Sequence, residues 1–426
     1  MARVLPRPAL LVVAALVLFP LAPWLSLGSL DERFGGDETL HSVANLAACF
    51  GVAAWAVTLV LASRARPLVR ALGGLEQLYL VHRRLGVAVV VLAVTHALFL
   101  TLHAGGSALD LYLPSAGWST FTGVIALVLM IGFVVTTLLG RLSYQTFLLV
   151  QRLTGAAFLV CALHTFAVRG TAAESVALTI YLACLTAAGM ASLGYRLVGG
   201  RLGIGRHPYR VDEVRRLDED AVEIVMAPVA RALEFEPGQF LYAAFHQDGL
   251  PRESHPFTIA SAPGADLRIA VKRLGDFTSL LMELRPGARA QLEGPFGSFC
   301  RRVDPRHTQT WIAGGIGITP FLSWARTLDG SVPVDLYYCT PRAEQAHFIE
   351  ELYDIADRYP RFRVIPIRKS SLGRLSVEDI EAVNPNVSNG DVLICGPQIM
   401  IDNMRAGFAA RGIPPERIRT ECFDFR

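Results

Sequence analysis

Apolar positions are spread unevenly along the chain. Through about the first 200 residues, long apolar runs follow one another with sparse charge. Beyond them, apolar residues recur in short alternating or strand-then-helix patterns. Six runs, about 9–27, 39–62, 79–103, 118–140, 146–168 and 173–198, are long enough to cross a hydrocarbon core of about 30 Å, which takes about 20 helical residues. Helices are predicted for all six, because a spanning segment has to satisfy its own backbone hydrogen bonds. The first run follows Arg3 and Arg7 as a signal peptide would. Its length and the similar runs after it make it a retained helix instead.

The pattern then changes twice. From Arg206 to Val303, short alternating segments broken by Pro and Gly predict a small antiparallel β-barrel. From Thr308 onward strands alternate with helices, the pattern of an α/β nucleotide-binding domain. The expected fold class is a multi-domain membrane protein: a six-helix transmembrane bundle over 1–200, an antiparallel barrel over 206–303 and an α/β domain over 308–426.

Loop charge orients the membrane half. Arg3 and Arg7 precede the first run, Arg64, Arg66 and Arg70 follow the second, Arg141 and Arg152 bracket the fourth-to-fifth turn, and Arg196, Arg201 and Arg206 follow the sixth. The opposite loops are acidic or neutral, as in Asp31-Glu32-Arg33-Phe34-Gly35-Gly36-Asp37-Glu38. The positive-inside rule therefore predicts a multi-pass protein of the cell membrane, with both termini and the water-soluble half in the cytoplasm. Over 426 residues, 52% are hydrophobic and the formal charge is +3, too small to suggest nucleic acid. The seven cysteines form no disulfide framework and none of the spacings of a zinc or iron–sulfur site.

Histidine inside a membrane span is a functional candidate by default. His82 and His96 lie fourteen residues apart on the third run. At about 100° and 1.5 Å per residue that spacing keeps one helix face and separates them by roughly 21 Å. Two ligands on one face suit two stacked haems, since neutral imidazole is a common axial ligand of haem iron. His164 on the fifth run falls at the depth of His96, so the two could clamp one haem between neighbouring helices. Helix packing is the alternative reading for all three. His41 and His103 sit at span ends, where an interfacial role competes equally with ligation.

Three glycine-bearing loops carry the candidate chemistry of the soluble half. Gly275-Asp276-Phe277-Thr278-Ser279 leads into an apolar stretch, the form of a pyrophosphate cradle or of a simple helix cap. The strand Thr310–Ala313 runs into Gly314-Gly315-Ile316-Gly317-Ile318-Thr319-Pro320, where glycine lets backbone approach a pyrophosphate. Strands Val334–Tyr338 and Asp391–Ile394 end at Cys339-Thr340-Pro341-Arg342 and Cys395-Gly396-Pro397. Loops at strand C-termini are where an open α/β sheet binds its ligand.

In this order, with His255-Pro256-Phe257-Thr258 ahead of Gly275-Asp276-Phe277-Thr278, the motifs resemble those of the ferric reductase/NADPH oxidase superfamily over essentially the whole chain. The resemblance implies six helices holding haem b, one or two per chain, joined to a ferredoxin–NADP⁺ reductase-like dehydrogenase with FAD and NADPH, NADH being the alternative donor. It places His255, Pro256 and Phe257 at FAD, with His255 on the phosphate side and Thr258 near the flavin N5. Thr278 and Ser279 would hold the pyrophosphate. Gly314, Gly315, Gly317 and Thr319, with Gly396 and Pro397, would cradle the nicotinamide dinucleotide, and Cys395 would align the nicotinamide. Glu421 and Phe423 match the family's acidic-then-aromatic tail, with Phe423 stacking on the flavin and Phe425 the competing choice. Arg342 stands where the family often binds the 2′-phosphate of NADPH, with Arg368, Lys369 and Arg374 near it in sequence.

One departure stands out. The family's fifth span carries a second, inner histidine thirteen residues before the outer one, and here that position is Gln151. The expected haem ligands are therefore His96 and His164 for the outer haem and His82 alone for the inner one. The implied activity is NAD(P)H-dependent reduction of an extracytoplasmic acceptor, ferric iron or dioxygen. The alternative is an electron-supply subunit that feeds quinone or a partner protein. A transporter is disfavoured, as the spans show no repeat and no acidic intramembrane pair.

Overall fold

The computed structural model describes residues 7–27, 29, 34–36, 38–139, 144–168, 174–199, 205–264, 266–297, 299, 307–368 and 373–422. The chain divides into two units, Ala2–Leu202 and Gly203–Arg426.

The first unit is helical. Its long helices are α1 (Arg7–Leu18), α2 (Glu38–Ala62), α3 (Leu75–Ala104), α4 (Trp118–Leu139), α5 (Tyr144–Ala167) and α6 (Val176–Gly194). Among the described residues five segments are long and apolar enough to cross a membrane: Pro8–Leu25, Glu38–Ala62, Leu75–Tyr112, Trp118–Thr136 and Val176–Gly199. The fifth expected span lies in α5, whose apolar part is Leu153–Ala167. The first run, expected as one helix, is broken after Leu18 and resumes at Leu21–Leu25. Pro20 causes the break, since it has no N–H to donate and disfavours helix at the residue before it.

The outward faces of these helices are apolar. On α3, Val87 (61% exposed), Val91 and Leu98 form a stripe at helical spacing that in water would be a liability and in lipid is the expected contact surface. Helix α2 sits at the centre, with Ala44, Ala53, Ala54 and Ala56 fully buried. Small side chains let neighbouring backbones close in: a Cβ on Gly189 of α6 would lie 3.3 Å from the backbone of Ala56.

The second unit begins with six antiparallel strands in the order β4-β3-β6-β1-β2-β5. These are β1 (Arg206–Arg216), β2 (Ala221–Pro228), β3 (Phe240–His246), β4 (His255–Thr258), β5 (Leu267–Lys272) and β6 (Arg289–Phe296). A bridge between Ile259 and Ile269 links the two edges, so the sheet nearly closes into a barrel around Val211, Ile224, Leu241, Phe245 and Leu292. A parallel sheet follows, β7 (Gln309–Gly314), β8 (Val334–Thr340), β9 (Phe362–Arg368), β10 (Asp391–Cys395) and β11 (Ile418–Glu421), in the order β11-β10-β7-β8-β9. Phe321, Leu322, Leu352 and Ile355 pack on one face of it, and Ile380, Ile401, Met404 and Phe408 on the other. The chain leaves β7 towards β8 on one side and returns at β10 on the other. That reversal makes the β7/β10 crevice the switch point at which such sheets bind ligand.

Candidate functional site

Three membrane histidines share one arrangement. The Nδ1 of His82 lies 3.1 Å from the Thr58 carbonyl, that of His96 2.8 Å from the Ala44 carbonyl, and that of His164 2.8 Å from the Ser119 carbonyl. A carbonyl can only accept, so each Nδ1 carries a proton, and in the neutral tautomer the lone pair is then on Nε2. Each bond reaches across to a neighbouring helix, α3 to α2 for His82 and His96 and α5 to α4 for His164, which fixes the ring orientation. The His96 and His164 rings stand 6.4 Å apart between centroids at 67°. Both line an apolar cleft together with Trp55, Tyr112, Met130 and Cys161. His82 is not among the residues lining that cleft. Gly123 on α4 allows the approach: a Cβ there would lie 2.6 Å from Cε1 of His164. His41 and His103 also meet, with ring centroids 5.1 Å apart. The side chain of Gln151 lies outside the described residues.

In the barrel, β4 pairs with β3 so that His255 faces Ala243, Pro256 Tyr242, Phe257 Leu241 and Thr258 Phe240. Phe257 packs into the barrel core, and Thr258 is buried at the strand's end. His255 stacks on Phe277 with centroids 3.7 Å apart, which brings together the His-Pro-Phe-Thr and Gly-Asp-Phe-Thr motifs, 20 residues distant in sequence. Burial pulls the His255 imidazole down to about 4, so it is neutral near pH 7. The Thr278 hydroxyl accepts from the backbone N–H of Leu274 at 2.9 Å and of Gly275 at 3.0 Å, and Ser279 donates to the Gly275 carbonyl. The turn is thus ordered by its own hydroxyls, at the start of the short helix α7 (Asp276–Leu280).

The titration of His255 has a consequence for stability. The unfolded histidine titrates near 6.5 and the folded one near 4, so on acidification the unfolded chain takes up the proton first. Stability of the flavin-free protein falls from pH 6.5 to about 4 by roughly 3 kcal/mol, and His255→Asn flattens that slope. Thermal melts across this range check it; an unchanged slope in the variant contradicts it.

At the switch point the two glycine loops touch. A Cβ on Gly317 would stand 2.4 Å from the Cys395 carbonyl oxygen, and one on Gly396 would stand 3.1 Å from Gly314 Cα. Gly315 has φ +54°, the left-handed region that suits glycine. Thr319, at the start of α8 (Thr319–Ala325), donates back to the Ile316 carbonyl at 3.0 Å. Pro397 precedes α11 (Gln398–Ala410), which follows α9 (Ile349–Arg358) and α10 (Val377–Val383) in the chain. Cys395 is fully buried and stands in register with Ala313 on one side and Glu421 on the other. Arg342 follows β8 and Arg368 ends β9, where Thr340 and Arg368 are in register, so both cations lie at the C-terminal edge of the sheet. Arg374 is described and exposed, whereas Lys369, Phe423 and Phe425 lie outside the described residues. Sequence reasoning missed the carbonyl partners of the histidines and the role of Gly123. The only signal was a glycine inside an apolar helix.

Comparison with known proteins gives three family matches in order along the chain: a ferric reductase like transmembrane component over residues 47–162, an FAD-binding domain over 207–297 and an oxidoreductase NAD-binding domain over 311–406. Among curated proteins, the reductase component of propane 2-monooxygenase from Rhodococcus jostii is 27% identical over 50% of this chain and 62% of its own length. The ferredoxin–NAD(P)⁺ reductase component of the naphthalene 1,2-dioxygenase/salicylate 5-hydroxylase systems from a Ralstonia species is 27% identical over 51% of this chain and 70% of its own. Of solved structures, the flavohem-like FAD/NAD binding domain of nitric oxide dioxygenase from Vibrio cholerae matches with TM-score 0.46 and 22% identity, covering 51% of this chain and 98% of that one. Half of this chain is thus similar to reductase components, while the membrane half is matched by the first family alone among these. With those three domains in that order, the chain is an oxidoreductase of ferric reductase/NADPH oxidase-like architecture, a ferric reductase-like transmembrane component fused to FAD- and NAD-binding domains.

Proposed function

We propose that this chain is a transmembrane NAD(P)H-dependent flavohaem oxidoreductase with three domains, 1–200, 206–303 and 308–426. The observation that carries the reading is the shared state of His82, His96 and His164, each with Nδ1–H on a backbone carbonyl and Nε2 left to ligate. When bound, FAD accepts a hydride from the nicotinamide and haem carries single electrons across the membrane to ferric iron or dioxygen. The dehydrogenase half and both termini face the cytoplasm, supported by the arginines after the second and sixth runs.

The residues fit such a group. His96 and His164, with ring centroids 6.4 Å apart, would together supply imidazole ligands to one haem iron. The cleft lined by both rings is predominantly apolar, as cofactor pockets generally are. Backbone acceptors on Nδ1 are the partners that orient metal-bound histidines and raise their basicity. His82 holds an inner haem by itself, since Gln151 replaces the family's second ligand.

In the soluble unit, Thr258 contacts the flavin, His255 with Thr278 and Ser279 serves its phosphate side, and the Gly314–Thr319 turn with Cys395, Gly396 and Pro397 holds the nicotinamide dinucleotide. Glu421, in register with Cys395 on β11, serves as the acidic residue of the tail, with Phe423 as the stacking residue. NADPH is the preferred donor, supported by Arg342 and Arg368 at the sheet's C-terminal edge, as arginine pairs well with phosphate.

Gly123→Ala tests the outer ligand set without removing a ligand. Its Cβ collides with the His164 ring, which the Ser119 carbonyl holds in place. Haem per chain measured as pyridine haemochrome falls by up to one, with FAD content unchanged; full haem with an unaltered spectrum contradicts the assignment. A side-by-side assay of ferric reductase and oxygen-consuming activity with NADPH and NADH then settles donor and acceptor.

A further inference from the structure

We infer that Arg326 and Ser323 are positioning residues that lock the flavin-contact segment of the barrel to the dinucleotide helix and so set the distance for hydride transfer. The inference rests on the functional reading above and deepens it.

The segment concerned follows β4 directly. Thr258 is succeeded by Ile259, Ala260 and Ser261, all essentially buried. Its barrel side is sewn to β5: Ala260 N–H donates to the Arg268 carbonyl at 2.8 Å, and Arg268 N–H donates to Ser261 Oγ at 3.1 Å. The other side is held by the nucleotide-binding domain through two bonds to successive carbonyls. Ser323 Oγ donates to the Ser261 carbonyl at 2.7 Å, and Arg326 Nη1 donates to the Ala260 carbonyl at 2.7 Å. Ala260 is also part of the apolar core of the nucleotide-binding domain, beside Trp311 and Phe321.

Both donors belong to α8. That helix starts at Thr319, at the end of the Gly314–Ile318 turn, and Arg326 is the residue that ends it. One short rigid element thus joins the turn expected at the pyrophosphate to the strand end expected at the flavin. The guanidinium is itself held. Its Nε and Nη2 form a bidentate pair with Glu351 at 2.6 and 2.8 Å, and Nη2 lies 3.7 Å from Glu223, a carboxylate on β2 that is 3% exposed. Arg215 and Arg268 flank Glu223 at 3.4 and 4.0 Å. Arg326 is 11% exposed, so charge-assisted bonds in this dry position hold geometry more firmly than a surface pair would. A second link, His347 Nε2 to Asp218 Oδ2 at 3.1 Å, lies further along the same seam. It leaves the positioning role to α8, since neither residue touches the flavin-contact segment by any bond described.

Simple adhesion between the domains is the competing explanation, and kinetics separates the two. Hydride transfer depends steeply on approach, and a misplacement of about 1 Å can cost about a hundredfold in rate. Adhesion alone governs cofactor retention and melting. The full-length, detergent-purified protein is compared with Ser323→Ala, which removes one bond and no charge. A second variant, Arg326→Lys, keeps the charge beside Glu223 but loses the fork that reaches Ala260 and Glu351 together. Flavin bleaching by NADPH is followed anaerobically by stopped flow, along with the long-wavelength absorbance of nicotinamide stacked on flavin.

Bleaching slows roughly ten- to a hundredfold in each variant at full FAD occupancy. The stacking band weakens, and KM for NADPH changes less than twofold. Wild-type rates with the band intact in an FAD-loaded variant overturn the inference. So does a rate loss that merely follows FAD loss and is restored by added FAD. Wild-type flavin that neither NADPH nor NADH bleaches overturns the functional reading instead, and the inference with it.

Discussion

Leucine in place of His96 removes one haem per chain and lowers NADPH-driven reduction of an external acceptor more than roughly 100-fold, given that losing even a hydrogen-bond partner of a metal ligand costs about 10–100-fold. His96 shares its cleft with His164, at 6.4 Å between ring centroids, and its Nδ1 is already committed to Ala44. Direct flavin oxidation by ferricyanide in the same preparation stays near wild type, because the soluble unit is a separate fold. The matched variant His82→Leu removes a different haem and leaves the His96/His164 spectrum in place. Haem quantification together with the two activities checks the set. Equal haem loss in His82→Leu and His96→Leu contradicts two distinct sites.

Alanine at Gly317 abolishes most nicotinamide-driven flavin reduction while sparing FAD and haem. The added Cβ would stand 2.4 Å from the Cys395 carbonyl oxygen and 2.8 Å from its carbon, both backbone atoms in a parallel sheet that has no slack on either side. Either the Gly314–Ile318 turn or the Cys395–Pro397 loop has to move, and both line the switch point. A loss of about a hundredfold in the bleaching rate follows from a shift near 1 Å. Gly315→Ala probes the same turn from its open side. Nothing lies within 4 Å of its Cβ, and its cost is the left-handed backbone at φ +54°, about 1 kcal/mol. If Gly317→Ala bleaches at the wild-type rate with FAD bound, the crevice between the two loops is not where the dinucleotide sits.

Much of this was legible from residues. Apolar length marked the membrane helices, and Pro and Gly punctuation marked the barrel. The loop order Gly-Gly-Ile-Gly then Cys-Gly-Pro anticipated two loops that meet at one crevice, because glycine is the residue that close backbone approach demands. Pro20 divides the first run, which its length alone predicts as one helix. What could not be read is what depends on backbone partners far along the chain. Ala44 lies 52 residues from His96 and Ser119 lies 45 from His164, and a carbonyl leaves no mark in the sequence. The same holds for Ser323 and Arg326, whose acceptors are the carbonyls of Ser261 and Ala260. Glu223 and Glu351, which hold Arg326, stand on a strand and a helix distant from it in sequence.

The central claim is that one chain passes electrons from a nicotinamide through flavin to haem held by membrane histidines. The most direct test is an anaerobic titration of the purified full-length protein with NADPH, recording flavin and haem bands together and normalising to haem per chain. The expected result is haem whose spectrum becomes that of the reduced form as flavin is turned over, with His96→Leu abolishing the portion that belongs to the outer site. Flavin that bleaches while bound haem stays oxidised, or protein that carries flavin and no haem, would contradict it.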